Sequence, residues 1–496
     1  MADLVGKVTV GVGYIASMNA ANLGVSLAFY LLAARILTTE EVGAISLLLL
    51  LMTGFNTLTM LALNSAAVKY VSENMGANRV LEASAAFWKS FKLASIAAAA
   101  SFILAASALP YIRSMVDLDA PSILLALAAG LLTNYTSLIG GAFYGLWLYG
   151  LVAVQNIIYF GVGRSSALVL AKLGLGVQGV ALGLLIGASV CLLYSTLAFR
   201  GRLKRTGDAY PIKPLLGFSL PLYAMNMILF VQGWLDIALL YKLTDDLSAL
   251  GVYYLVVSSI YVLTLLPNSL ASVLFPTMGY KVGESGVEKV KAMLDPSIRL
   301  SLLMIAPISF GLAATSSTAL TIVYGAKYAA GAAALTITSI AAIPLALHAV
   351  LTSSLQAVGY TKPIALAGLA SISVDAAALA LAVPMLAGVG AALARALMAF
   401  TGFTIIYLAV RRRLNFRLKG WLPIIFYALL TALPLLILDR TLKISASAKG
   451  LIELGSFLIV AAALMKALKL LSEPDRCLIE GACPRMLKPL LRLILH

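Results

Sequence analysis

Apolar runs of twenty or more residues follow one another along nearly the whole chain, separated by intervals of a few polar residues. A helix needs about 20 apolar residues to cross the hydrocarbon core of a bilayer. The pattern predicts fourteen membrane helices, at 8–34, 42–65, 84–110, 121–147, 151–172, 176–199, 215–241, 250–276, 298–323, 330–356, 362–385, 387–410, 420–438 and 447–470. The longest polar interval of the first half, FRGRLKRTGDAYPIKP at 199–214, sets Arg200, Arg202, Lys204, Arg205 and Lys213 against one acid, Asp208. It divides the chain into segments one to six (1–199), a basic linker (200–214), segments seven to twelve (215–410), segments thirteen and fourteen (411–470) and a tail (471–496). The tail ends in MLKPLLRLILH, an alternation of basic and apolar residues that predicts an amphipathic helix on the inner leaflet.

Composition agrees. Of 496 residues 61% are hydrophobic and 11% charged, against roughly a quarter charged in soluble domains. The mean hydropathy is +1.00. No polar block is long enough to fold as a soluble domain. The net charge of +16 reads as loop bias in a membrane protein, not as nucleic-acid binding. With the N-terminus in the cytoplasm, 26 of the 36 Lys and Arg fall at cytoplasmic ends, eight fall outside, and Arg164 and Arg395 remain within the bilayer. The positive-inside rule then puts both termini in the cytoplasm of a multi-pass protein of the cell membrane. Cys191 lies in an apolar run, and Cys477 and Cys483 lie in the tail, so neither a disulfide framework nor a zinc site follows. The apolar run after Lys7 is too long for the core of a cleaved signal.

The two halves repeat each other. Leu37-Thr38 matches Leu243-Thr244, and Gly43 matches Gly251. Lys92-Leu93 matches Arg299-Leu300 at an offset of 207. Gly179-Val180-Ala181-Leu182 matches Gly390-Ala391-Ala392-Leu393 at an offset of 211, and Arg200 and Arg202 match Arg411 and Arg413 at the same offset. Six spans per copy keep both copies in one orientation. The expected fold class is all-α integral membrane, with fourteen helices in two pseudo-symmetric six-helix lobes and two extra C-terminal helices. Segments thirteen and fourteen have no repeat partner, are read as free of charge at membrane depth, and would pack outside the lobes.

A charge inside the bilayer costs about 3 kcal/mol on insertion scales, so it faces a partner or a wet cavity. Arg164, about 13 residues into segment five, has no acid at comparable depth in its half of the chain. It is either a cavity cation or one side of an ion pair. Arg395 has Asp236 and Asp375 at similar depth, so a structural pair and a substrate contact stay open. Asp375 is the repeat equivalent of Arg164. Both aspartates are candidate H+ or Na+ sites or counter-ions. Lys89 and Lys92, three apart on one helix face, and Arg299, the counterpart of Lys92, either snorkel to headgroups or form a cationic mouth. His348 is read as structural. Asp117 and Asp119 imitate a metal pair in an outer loop too short for a catalytic site. No phosphate-binding G-x-x-x-x-G-K-[ST] loop occurs, and no cofactor, catalytic residue or metal is expected.

AARILTTEEVGAISL (33–47), FSLPLYAMNM with Asp236 (218–227), LGVYYLVV (250–257) and IVYGAKYAAGAAAL (322–335) resemble the polysaccharide-transport branch of the multidrug/oligosaccharidyl-lipid/polysaccharide exporter superfamily. That branch includes O-antigen-type flippases, and the resemblance reaches to about residue 470. It implies alternating access and, as substrate, a polyprenyl- or dolichyl-phosphate-linked oligosaccharide moved from the inner to the outer leaflet. Lys89, Lys92 and Arg299 would collect its phosphates, and Arg164 with Arg395 would hold them at mid-membrane. The expected partners are that substrate, membrane lipids and a coupling H+ or Na+, with the chain a monomer. The first segment carries Asn19 and Asn22 but no charge before Arg35, unlike the lipid II branch. The rivals are a cation-coupled multidrug exporter of the same superfamily and, further off, a membrane glycosyltransferase.

Overall fold

The computed structural model describes residues 2–204, 210–285, 287–418, 420–442 and 444–468. Among them all regular structure is helical. The first half gives α1 (Ala2–Ile36), α2 (Thr39–Met60), α3 (Leu63–Gly76), α4 (Val80–Ser107), α5 (Leu109–Met115), α6 (Ala120–Gly145), α7 (Tyr149–Leu170) and α8 (Gly176–Phe199). The second gives α9 (Ile212–Thr244), α10 (Leu247–Ser285), α11 (Val287–Ala314), α12 (Ser316–Val323), α13 (Ala332–Ala357), α14 (Lys362–Leu414), α15 (Trp421–Thr441) and α16 (Ala446–Ala467). The tail and residues 205–209 of the linker lie outside the described residues.

Twelve stretches are long and apolar enough to cross a membrane, so the chain is a multi-pass membrane protein. Two of them, 149–199 and 362–414, are 51 and 53 residues long. Each folds back on itself. In the first, a Cβ at Gly187 would overlap Gly163 Cα, one at Gly183 would overlap Ala167 N, and one at Gly179 would lie 2.8 Å from the Leu170 carbonyl carbon. The nearly constant sum of paired numbers marks an antiparallel hairpin, α7 against α8, in backbone contact through small residues four apart. In the second, Gly390 meets Ala382 and Gly402 meets the Ser371 Oγ, which places a hairpin turn near Ala387 of α14.

The turns repeat in geometry as well as in sequence. Gly176 (φ 47°, ψ −131°) and Ala387 (φ 45°, ψ −123°) hold the same conformation at an offset of 211. α6 ends with Leu148 N–H donating to Phe143 O (2.8 Å) and Trp147 N–H to Tyr144 O (3.0 Å). α13 ends with Tyr360 N–H donating to Leu355 O (2.9 Å) and Gly359 N–H to Gln356 O (3.0 Å). Both are Schellman closures, 212 residues apart. α4 breaks at Ala108 and α11 at Thr315, 207 residues on. The drift from 207 to 212 is the drift of the sequence matches.

Packing divides the chain into two units, Met1–Ala238 with Asp246–Gly251, and Leu239–Asp245 with Val252–His496. In the first, α6 packs against α2, α3, α4 and α8, and α1 packs against α7. Leu63, Val71, Phe87, Leu138 and Phe143 form its core. The start of α10 lies in this unit and crosses the start of α2. A Cβ at Gly43 would overlap Leu247 O, and one at Gly251 would overlap Thr39 O. Thr39 and Ser248 share a hydroxyl hydrogen bond of 2.7 Å. Each helix start is capped: Thr38 and Glu41 form a capping box, and Asp246 Oδ1 accepts from Ser248 N–H (2.8 Å) and Ala249 N–H (3.0 Å). Asp119, imagined as half of a metal pair, is the N-cap of α6, accepting from Ser122 N–H at 3.1 Å. In the second unit α13 packs on α11 and α14, α15 on α11, and α16 on α15 and α12.

Alanine at φ 45°, ψ −123° is strained, and glycine stands at the same place in the first copy. Ala387→Gly is expected to stabilise the protein by about 1 kcal/mol, seen as a higher thermal midpoint in detergent. Gly183→Leu should do the reverse, costing about 3 kcal/mol by prising α7 from α8. An unchanged midpoint in both variants would refute the hairpin geometry.

A caged arginine beside a polar cavity

α8 fixes one face of α7 through Gly163 and Ala167. The next residue, Arg164, is turned toward α1. Its guanidinium lies 4.8 Å from the Phe160 ring centre, 5.6 Å from that of Phe29 and 5.7 Å from that of Tyr30. Phe160 precedes it by four residues and so shares its helix face. Phe29 and Tyr30 come from α1. Each cation–π contact contributes about 1 kcal/mol, so three rings offset most of the roughly 3 kcal/mol that an arginine costs at membrane depth. The rings meet the cation through their faces and accept none of its five N–H donors in line. Arg164 Nη1 is buried and has no hydrogen-bond partner. Among the described residues none forms an ion pair with it.

Phe160 also lines a cavity of about 440 Å3 in the same unit, a volume within the range of small-molecule sites. Asn64, Ser65, Thr133, Thr136, Ser137, Gln155, Asn156, Tyr144 and Tyr159 give it polar walls, and none of its lining residues is charged. One wall is fixed by its own hydrogen bonds. Gln155 Nε2 donates to Thr136 O (2.7 Å) and to Ser195 Oγ (3.0 Å), and Ser195 Oγ donates to Cys191 O (2.6 Å). Asn56 Nδ2 donates to Asn134 Oδ1 (2.6 Å), and Asn134 in turn to Thr59 Oγ1, which ties α2 to α6. The arrangement can take an uncharged polar group into the cavity and an anion against the guanidinium beside it.

The remaining candidate residues fall on both units. Lys89 is partly buried and Lys92 exposed on α4 of the first unit, while Arg299 is partly buried on α11 of the second. Asp236 (1% exposed) lies on α9, and Asp375 (2% exposed) and Arg395 lie on α14. Lys92, Asp236, Arg299, Asp375 and Arg395 are all engaged by neighbouring groups. His348 packs on Gly402 of α14. The aromatic cage and the polar cavity were not foreseen from the sequence. The signal available was a pair of adjacent aromatics on each of two helices, Phe29-Tyr30 and Tyr159-Phe160. The reading of segment fourteen as free of charge is corrected by Glu453, which is buried in α16.

The chain is a multi-pass membrane protein whose fold is shared by solved transporters of the multidrug/oligosaccharidyl-lipid/polysaccharide superfamily. Lipid II flippase MurJ, in an inward closed conformation, matches with a TM-score of 0.72 at 15% identity, over 91% of this chain and 99% of that one. An inward-facing multidrug resistance MATE transporter of the MOP superfamily matches at 0.63 and 16% identity, over 80% and 94%. A MOP superfamily transporter from Pyrococcus furiosus, described by the reverse polarity of its binding pocket, matches at 0.55 and 14% identity, over 83% and 95%. Among curated proteins none is similar enough to count as a relative. The chain belongs to the family described as "Polysaccharide biosynthesis protein", whose pattern it matches over residues 32–333.

The cage can be tested without a substrate. Phe160→Ala should cost stability, and should cost less in an Arg164→Leu background, where no cation needs the ring. A double-mutant cycle on thermal or denaturant unfolding should return a coupling of about 1 kcal/mol. A coupling of zero would mean that the ring and the guanidinium do not interact.

Proposed function

We propose that this protein is a flippase that carries a polyprenyl- or dolichyl-(di)phosphate-linked oligosaccharide from the inner to the outer leaflet of the cell membrane by alternating access. The observation that carries the reading is Arg164, a cation supported by three rings whose buried Nη1 has no partner. Phosphate oxygens accept such donors in pairs. The uncharged polar cavity beside it suits sugar hydroxyls, and the membership in a polysaccharide biosynthesis family supports a sugar-bearing substrate. Each of the two helical hairpins read as two crossings brings the total to fourteen, with both termini in the cytoplasm. Lys89, Lys92 and Arg299 collect the phosphates at the cytoplasmic side. Arg395 is held by its surroundings as a secondary contact, and Asp236 and Asp375 serve as counter-ions or as the H+ or Na+ site of coupling. No chemistry is done on the substrate.

The second reading is a cation-coupled multidrug exporter. The likeness to the MATE transporter and the two fully buried aspartates favour it. An exporter of organic cations needs an acid where the cargo sits, and the cavity beside Arg164 is lined by none.

Reconstituted in liposomes, the protein should flip a lipid-linked oligosaccharide. Arg164→Ala should reduce the rate at least tenfold with little loss of thermal stability. Arg164→Lys should recover part of it, because a point charge cannot replace the planar two-donor fork. Unimpaired flipping by Arg164→Ala would remove the phosphate role. Export of a cationic dye by the wild type, with no flipping, would favour the second reading.

A further inference from the structure

Along α16 a single residue is buried, and it is an acid, Glu453, 4% exposed. It faces a cavity of about 630 Å3 in the second unit, lined largely by apolar side chains such as Ile308, Ala319, Leu435 and Phe457. One turn earlier, Gly450 brings α16 so close to α12 that a Cβ would overlap the Ile322 side chain. At the end of α15, Asp439 pairs with Lys449 Nζ at 2.7 Å and accepts from Thr318 Oγ1 at 2.7 Å. Lys449 also donates to the Asp439 carbonyl. Glu453 follows Lys449 by four residues on the same helix face and lines the cavity together with Thr318, and its Oε1 is buried with no partner.

The charges decide what this cluster holds. Lys449 and Asp439 neutralise each other. α11, α12 and α15 contribute no charged side chain to the cavity lining, and Arg440, next to Asp439 on α15, is exposed. An ionised Glu453 would therefore leave one uncompensated negative charge in an apolar site, next to a second carboxylate. An uncompensated buried carboxylate takes up a proton instead of staying charged. We propose that Glu453, Asp439, Lys449 and Thr318 form a proton-binding site in which Glu453 holds one exchangeable H+ beside the Asp439–Lys449 pair. With the proton in place the cluster is neutral and α16 stays packed on α12. Loss of the proton to water leaves two adjacent carboxylates for one ammonium, which repel each other and draw water or a cation into the cavity. The site involves neither Arg164 nor the polar cavity of the first unit.

The test uses the full chain in lipid nanodiscs. Infrared spectroscopy of the wild type should show a protonated carboxylic acid at neutral pH that disappears as the pH rises and is missing in Glu453→Gln. The native state binds a proton that the unfolded chain, with its solvated carboxylate, releases, so stability falls as pH rises. The thermal midpoint of the wild type should drop on moving to alkaline pH. That of Glu453→Gln, an isostere of the neutral acid, should stay flat and match the wild type at its low-pH limit. Absence of the protonated-acid band from wild type at neutral pH would overturn the proposal. So would a midpoint that responds to Na+ at fixed pH through Glu453, since the ligand would then be sodium. Neither readout depends on transport, so failure here leaves the phosphate role of Arg164 standing.

Discussion

Backbone contact between α7 and α8 decides where Arg164 points. Gly163 and Ala167 on one helix meet Gly187, Gly183 and Gly179 on the other with no room for a side chain. Lipid tails are as apolar as leucine, so close packing and not the hydrophobic effect holds such helices together. The contact leaves α7 one orientation about its axis. Arg164, next to Gly163, then faces the rings of α1 and cannot turn out to the bilayer without breaking the hairpin. The same contact places Gln155 of α7 and Ser195 of α8 on opposite sides of the wall they tie together at 3.0 Å. The cage and the cavity are thus two consequences of one glycine seam.

Buried charge in this chain is accommodated in different ways, and the difference carries the functional argument. Asp439 is neutralised by Lys449. Arg164 is supported by ring faces, and its buried Nη1 has no hydrogen-bond partner. Glu453 has no cation of its own, since Lys449 is paired with Asp439. A structural charge is satisfied where it sits, whereas a charge that binds a mobile ligand must be tolerable without it and better with it. Three aromatic faces give Arg164 that intermediate standing, since they lower the cost of burial and consume no N–H.

Much of the fold was legible in the sequence. Apolar runs separated by short polar intervals gave the helices, and matched glycines gave a repeat whose turns recur in geometry at Gly176 and Ala387. Gly43 and Gly251, matched as repeats, meet each other at a helix crossing, which pattern alone could not say. The candidate site was legible only as a charge. Arg164 stood out because an arginine in an apolar run is rare. Its aromatic neighbours did not, because Phe29 and Tyr30 look like any other membrane residues until α1 is laid on α7. The polar cavity was invisible for a related reason. Its Asn, Gln, Ser and Thr residues are spread over three helices, α3, α6 and α7, with no spacing that links them. Glu453 was overlooked because one acid in a helix near a loop reads as interfacial, and only the approach of α12 at Gly450 buries it.

The account rests on the guanidinium of Arg164 meeting phosphate. The most direct measurement is solid-state NMR of the protein in bilayers with bound lipid-linked oligosaccharide, using dipolar recoupling between arginine-side-chain 15N and substrate 31P. A contact at hydrogen-bonding distance that vanishes in Arg164→Lys, while the substrate stays bound, is the expected result. A bound substrate whose phosphorus shows no coupling to Arg164 would contradict it.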